Sequence, residues 1–362
     1  MNAAMPGAAE EASSTRYRVR HETIYSYGGD VAHSHQLLHL TPRAAPDQIC
    51  HTHALELEPA PSSRHDDVDA FGNLVTRLEY DRPHDRLEVS AEMDIEVLAP
   101  PPLTPAASLP WEAVNESLRY QGRTPPPDEL DACRFRMESS YVKVKSQFTE
   151  YGADCFTPGA PILAAAEALM HKVHRDFTYA PGTTTIRTAA VEAFAARRGV
   201  CQDFAHIMIA CCRARGLAAR YVSGYLRTIP PGNPDPALVG SDASHAWVAV
   251  FCPPFGWVAL DPTNDVRGNR DHITVAWGRD FGDVSPLRGV LVGGGRHRLT
   301  VRVCVRRSKI ERQIPLLGEP LGQAELPSRE ETKRGRPQGA PGRQTAASCP
   351  DTGRAGRGGG EG

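Results

Sequence analysis

The stretch "ASHAWVAVFCPPFGWVALDPTN", residues 243–264, constrains the fold more than any other. Two apolar runs flank a proline-rich turn, the pattern of an antiparallel hairpin. With Cys252 to Pro254 as the loop, Phe251 faces Phe255, Ala249 faces Trp257, Trp247 faces Ala259 and His245 faces Asp261. Side chains alternate along each strand, so all of these residues share one face. The open end of the hairpin then holds an imidazole beside a carboxylate. A slip of one residue would send one partner to the opposite face.

An imidazole held by an acid is half of a nucleophilic site. The other half is offered by "RRGVCQDFAH", residues 197–206, where Cys201 stands between a glycine turn and the first turn of a helix. A thiol there faces unpaired backbone N–H groups and the positive end of the helix dipole, and both favour a thiolate. A nucleophilic thiol needs a base and a third group to orient that base. Cys201, His245 and Asp261 fill these three roles. The Cys201 backbone N–H adds one donor for an oxyanion hole.

The rest of the chain frames this site. Residues 1–15 read as a disordered leader. Residues 16–98 read as strands without intervening helices, hence an antiparallel β-rich domain. In "YRVRHETIYSY" the alternation puts Tyr17, Val19, His21, Thr23 and Tyr25 on one face, and "GGD" at 28–30 reads as a turn. "APPPLTP" marks a boundary, and 99–156 is a partly helical connector. From 157 to 306 three helices precede a sheet: "PILAAAEALMHKVHRDF", "TAAVEAFAARRG" ended by Gly199, and "QDFAHIMIACCRARG" closed by Gly216. "RLTVRVCV" is a last strand of this domain. Helices followed by sheet make the fold α+β. Residues 307–362 are rich in Gly, Arg and Pro with few bulky apolar side chains, which predicts disorder.

In combination the motifs resemble the transglutaminase-like superfamily. "GVCQDFAH", "SHAWV" and "GWVALDPTN" occur in the order of that superfamily's nucleophile, base and acid. "YVSGYL" and "GRDFGDVSPLRGVLVGGG" resemble its bacterial subfamily, and residues 16–98 resemble that subfamily's N-terminal domain. The resemblance spans about residues 16–306. It implies a papain-like α+β catalytic domain in which Cys201, His245 and Asp261 form the triad of an acyl-transferring cysteine enzyme. The reaction expected is cleavage of an amide, a peptide bond or a glutamine carboxamide, through a thioester, in the manner of a protease or amidase. Cross-linking by a protein-glutamine gamma-glutamyltransferase is a second reading. A peptide-binding module with an idle triad is a third.

Several neighbours carry blander readings. His206 reads as a packing histidine, Asp203 as a helix-dipole partner, and Cys211 and Cys212 as core. Trp247 and Trp257 read as packing, with a shield over the thioester as the sharper alternative. His33, His35, His39, His51 and His53 alternate along strands without a compact N/S ligand set, so they read as a solvated sheet face, with no metal or other cofactor expected. A net charge of −2 gives no reason to expect nucleic acid or an anionic membrane as a partner. The partner expected is a peptide or protein substrate. Nine cysteines in no framework spacing, with no secretory signal, point to a reducing cytoplasm.

Overall fold

The computed structural model describes residues 14–119, 122, 124–227 and 244–308. Its first half is an antiparallel sheet of β1 (Ser14–Leu38), β2 (Gln48–Glu58), β3 (Ser63–Val68), β4 (Leu74–Tyr80) and β5 (His84–Leu98), in the order β2-β5-β1-β4-β3. The alternation expected in β1 is present: Tyr17, Val19, His21 and Thr23 are buried, and Tyr25 packs against the same core. The turn expected at Gly28–Asp30 is absent, because β1 runs straight through it. Pairing with β5 breaks between Ser26 and Val31. The Gly28 N–H instead donates to the carbonyls of Gly294 and Arg296. A Cβ on Gly28 would stand 3.0 Å from the Arg296 oxygen, so glycine serves here for close approach rather than reversal.

The connector holds α1 (Trp111–Ser117), α2 (Pro127–Cys133) and α3 (Ser146–Tyr151). Then come the three expected helices, α4 (Ile162–Asp176), α5 (Ala190–Ala196) and α6 (Cys201–Arg213), with the short parallel pair β6 (Thr178–Tyr179) and β7 (Arg198–Gly199) between them. α5 ends two residues earlier than expected. Arg197 rather than Gly199 takes the left-handed conformation, at φ 53°. α6 is buried from Gln202 to Arg213, including Cys211 and Cys212, and so serves as the central helix.

A second sheet packs on it. β8 (Ala219–Leu226), β9 (His245–Phe251), β10 (Trp257–Asp261), β11 (Val266–Arg267) and β12 (His272–Gly278) run in the order β11-β10-β9-β8-β12. Every residue of β8 and β9 is buried. The N-terminal sheet helps to cover them. Gln48 and Asn73 each hold a backbone segment of β12 through paired side-chain bonds, at Thr274 and Trp277. The whole is mixed α/β, with an antiparallel β-rich first half and a helix-then-sheet core.

After α7 (Phe281–Val284), strands β13 (Leu287–Gly293) and β14 (His297–Ser308) return to the first sheet and pair with β1. This corrects the assignment of residues up to 306 to the second domain. β1 is 25 residues long, and β5 covers one edge of its first half. The open edge there is filled by β14, from the far end of the chain. The ends also shift: β1 begins at Ser14, inside the expected leader, and β14 reaches Ser308, inside the expected tail. The remainder of leader and tail lies outside the described residues. His39 departs from the solvated-face reading. It is buried, with Nδ1 3.2 Å from the Ser285 carbonyl. Among the described residues no helix is long and apolar enough to cross a membrane.

Candidate active site

Cys201 is the first residue of α6, as the sequence predicts. The helix start is fixed from behind. The Asp203 carboxylate accepts from the Val200 N–H at 2.8 Å and from the Thr184 hydroxyl at 2.7 Å. This is the carboxylate half of a capping box, and it satisfies one of the orphan donors of the first turn. A Cβ at Gly199 would come within 2.4 Å of that carboxylate, so the glycine lets the strand turn tightly into the helix. Burial raises the proton affinity of Asp203, against the pull of its two donors. Gln202, the next residue, ties the helix start to the loop before α5 through the Ile186 carbonyl at 3.2 Å.

The hairpin places the other two groups, in a register that differs from the one expected. Trp257 pairs with Phe251, Ala259 with Ala249 and Leu260 with Val248. The pairing is offset by two residues because the turn is longer, running from Cys252 to Gly256, whose φ is +74°. An offset of two preserves the face, since side chains repeat every second residue. His245 and Asp261 therefore still meet, as diagonal rather than direct neighbours. Nε2 of His245 lies 2.8 Å from Asp261 Oδ2, with both side chains 0% exposed.

This bond fixes the tautomer. Nε2 carries the proton that Asp261 accepts, which leaves Nδ1 as the basic nitrogen. Nδ1 is buried and makes no hydrogen bond of ordinary geometry among the described residues. Cys201 is near enough to the ring to favour its charged form. Burial alone would lower the proton affinity of His245, but Asp261 and Cys201 outweigh it and push the imidazole up to about 10. Burial likewise works against the Asp261 carboxylate, and the facing His245 and His272 reverse this, holding it well below the usual carboxylate range.

Asp261 is more heavily bonded than the sequence suggested. Oδ1 accepts from the backbone N–H groups of Thr263 at 2.9 Å and Asn264 at 3.3 Å. Oδ2 accepts from Asn264 Nδ2 at 2.8 Å and from His272 Nε2 at 3.2 Å, besides His245. Asn264 had a local signal, because an Asp–Pro–Thr–Asn run is a turn in which the first carboxylate caps the following amides. His272 had none, since it arrives from β12 at the other edge of the sheet. Trp247 stacks on His245 at 6.1 Å and meets His272 near perpendicular at 5.1 Å, so it packs against both imidazoles. Trp257 packs away from them, against Phe135, Phe251 and Arg220. At Gly224, opposite His245, a Cβ would strike both the Ile273 backbone and Trp247.

A partly buried thiol at a helix N-terminus beside a buried imidazole–carboxylate pair, on a sheet packed against that helix, defines a papain-like thiol enzyme fold. Residues 17–96 match the bacterial transglutaminase-like N-terminal region, and residues 150–262 match the transglutaminase-like superfamily. An uncharacterized Mycobacterium tuberculosis protein is 41% identical over 283 residues, covering 76% of this chain and 87% of that protein. The chain belongs to the transglutaminase-like superfamily, a family of cysteine-dependent enzymes. The crystal structure of a candidate cysteine protease from Cytophaga hutchinsonii shares the fold. Its TM-score is 0.63 at 18% identity, over 82% of this chain and 92% of that one. A protein-glutamine gamma-glutamyltransferase of Pseudomonas aeruginosa is 34% identical over 116 residues, which are 30% of this chain and 17% of that enzyme.

Proposed function

We propose that the protein is a cysteine-dependent amide hydrolase, a protease or amidase acting on a peptide or protein in the cytoplasm. The observation that carries the reading is the buried His245–Asp261 pair, whose free nitrogen is left to serve Cys201. In the first step the Cys201 sulfur attacks an amide carbonyl, and its proton resides on His245. Asp261 stabilises the imidazolium without taking the proton. The developing oxyanion is met by the Cys201 backbone N–H at the start of α6. The C–N bond then breaks as His245 returns the proton to the leaving ammonia or amine, leaving a thioester. Water, deprotonated by His245, resolves the thioester to a carboxylic acid and the free thiol.

Cross-linking is the second reading, favoured by the partial similarity to the Pseudomonas aeruginosa gamma-glutamyltransferase. There an amine replaces water in the last step. The test is a panel of peptide and protein amides incubated with the wild type and with Cys201→Ala, read by intact mass. The hydrolase reading expects products that gain water, only with the wild type. Products that gain a lysine amine in place of ammonia favour cross-linking. Equal product from Cys201→Ala overturns both.

A further inference from the structure

Asp261 serves two imidazoles, and the reaction as written uses one. His272 sits on β12, is buried, and brings Nε2 to 3.2 Å from the same carboxylate oxygen that holds His245. Nε2 faces a carboxylate oxygen, which only accepts, so Nε2 carries a proton, while Nδ1 lies 3.3 Å from both the backbone N–H and the side-chain Oδ1 of Asn269. Nε2–H can therefore only donate to Asp261. The Trp247 ring meets the His272 ring near perpendicular at 5.1 Å.

From this geometry we infer that His272 is a positioning residue of the active site. Its N–H pins Asp261 Oδ2 in the plane where it receives His245, and helps keep the carboxylate ionised in a site closed to water. The inference rests on the reading of Cys201 as a nucleophile served by His245. Two backbone N–H groups hold Asp261 Oδ1, and Oδ2, the oxygen that serves His245, is held by side chains. Three side-chain donors meet on Oδ2, from β9, β12 and the turn after β10. Of the other titratable groups near His272, Asp271 is engaged elsewhere, by the Tyr17 hydroxyl and by Arg227 and Arg307. Asp261 and, through it, His245 are the groups that feel a change at residue 272.

The test needs no substrate. The rate of iodoacetamide alkylation at Cys201 is followed from pH 4 to 9 in the full chain, for the wild type, His272→Phe and His272→Gln. Glutamine places an amide N–H near the former Nε2–H; phenylalanine keeps the ring volume and removes the donor. His272→Phe is expected to slow alkylation at neutral pH about tenfold. Its acid limb should move to higher pH, because a carboxylate that loses a donor is protonated more easily. His272→Gln should keep the wild-type limb and most of the rate. A His272→Phe profile like that of the wild type overturns the inference, and so does a His272→Gln limb displaced as far as that of a folded His272→Phe. Should His272→Phe not fold, the His272→Gln limb decides alone: unchanged supports the inference, displaced overturns it. A wild type whose Cys201 reacts no faster than the other cysteines would instead sink the nucleophile reading itself.

Discussion

Two histidines are buried close to Cys201, and the fold treats them in opposite ways. His206 lies on α6, one turn beyond the cysteine, and is 0% exposed. Its ring lies between those of Tyr141 and Tyr221, at 5.4 and 5.1 Å. Its Nε2 accepts from the Phe281 N–H at 3.2 Å, and among the described residues Asp280 reaches it through charge without a hydrogen bond. Burial pushes its proton affinity down to about 3, so it is a neutral packing group. His245 is as deeply buried, yet Asp261 and Cys201 together raise it to about 10. Depth alone thus silences an imidazole, and a carboxylate at 2.8 Å makes it a base. The difference lies in the groups that face each ring, not in exposure.

The largest effect that would break this contrast is expected at the reacting groups. Cys201→Ala should abolish turnover, and Cys201→Ser should be nearly as inactive, because a hydroxyl is far less acidic than a thiol. His245→Ala should cost about 10³-fold in kcat/KM, the usual scale for a lost general base. His206→Phe should change kcat/KM less than about threefold, since a second ring fits between the tyrosines. Steady-state kinetics on any amide that the wild type cleaves measures all four. Comparable losses from His245→Ala and His206→Phe would erase the distinction.

Asp261→Asn should fall between these, at about 10²-fold. The carboxamide can accept the His245 bond, but it can also donate, which stabilises the wrong tautomer. Asp261→Ala should cost more in stability, on the order of 3–5 kcal/mol by chemical denaturation, because it strips a buried imidazolium of its partner.

A smaller and finer test is the pH dependence of stability, where the two histidines should act at opposite ends. The proton affinity of His245 is raised on folding. Its contribution is complete below the ordinary histidine range near ~6.5 and is lost as pH rises through about 10. The proton affinity of His206 is lowered. It costs nothing above ~6.5 and destabilises the fold as pH falls toward about 3. Melting curves across pH should therefore show that His245→Gln flattens the alkaline side and His206→Phe the acid side. The reverse pattern would contradict both assignments.

Much of this was legible in the sequence, for identifiable reasons. The face shared by His245 and Asp261 survived an error of two in the register, because strand periodicity protects any even offset. The start of α6 at Cys201 was legible because a glycine turn precedes an apolar helical stripe. His206 could be set aside because it stands one turn into the helix, where a histidine more commonly packs than reacts. What was not legible depends on contacts between distant segments. Strands β13 and β14 look like a continuation of the second domain, yet the open edge of β1 claims them. Nothing local to "DHITV" shows that His272 reaches Asp261, because that contact exists only once β12 lies beside β8. The turn expected at Gly28 failed because the partner strand, not the local sequence, determines whether a glycine pair bends.

The central claim is that the fold singles out one thiol among nine. The most direct measurement is limited labelling with iodoacetamide at neutral pH, followed by peptide mass mapping, for the wild type and His245→Ala. The account predicts that Cys201 is modified stoichiometrically and at least about tenfold faster than any other cysteine, and that His245→Ala loses this preference. A wild type in which Cys201 reacts no faster than Cys50, Cys155 or Cys304, or a preference that persists without His245, would contradict it.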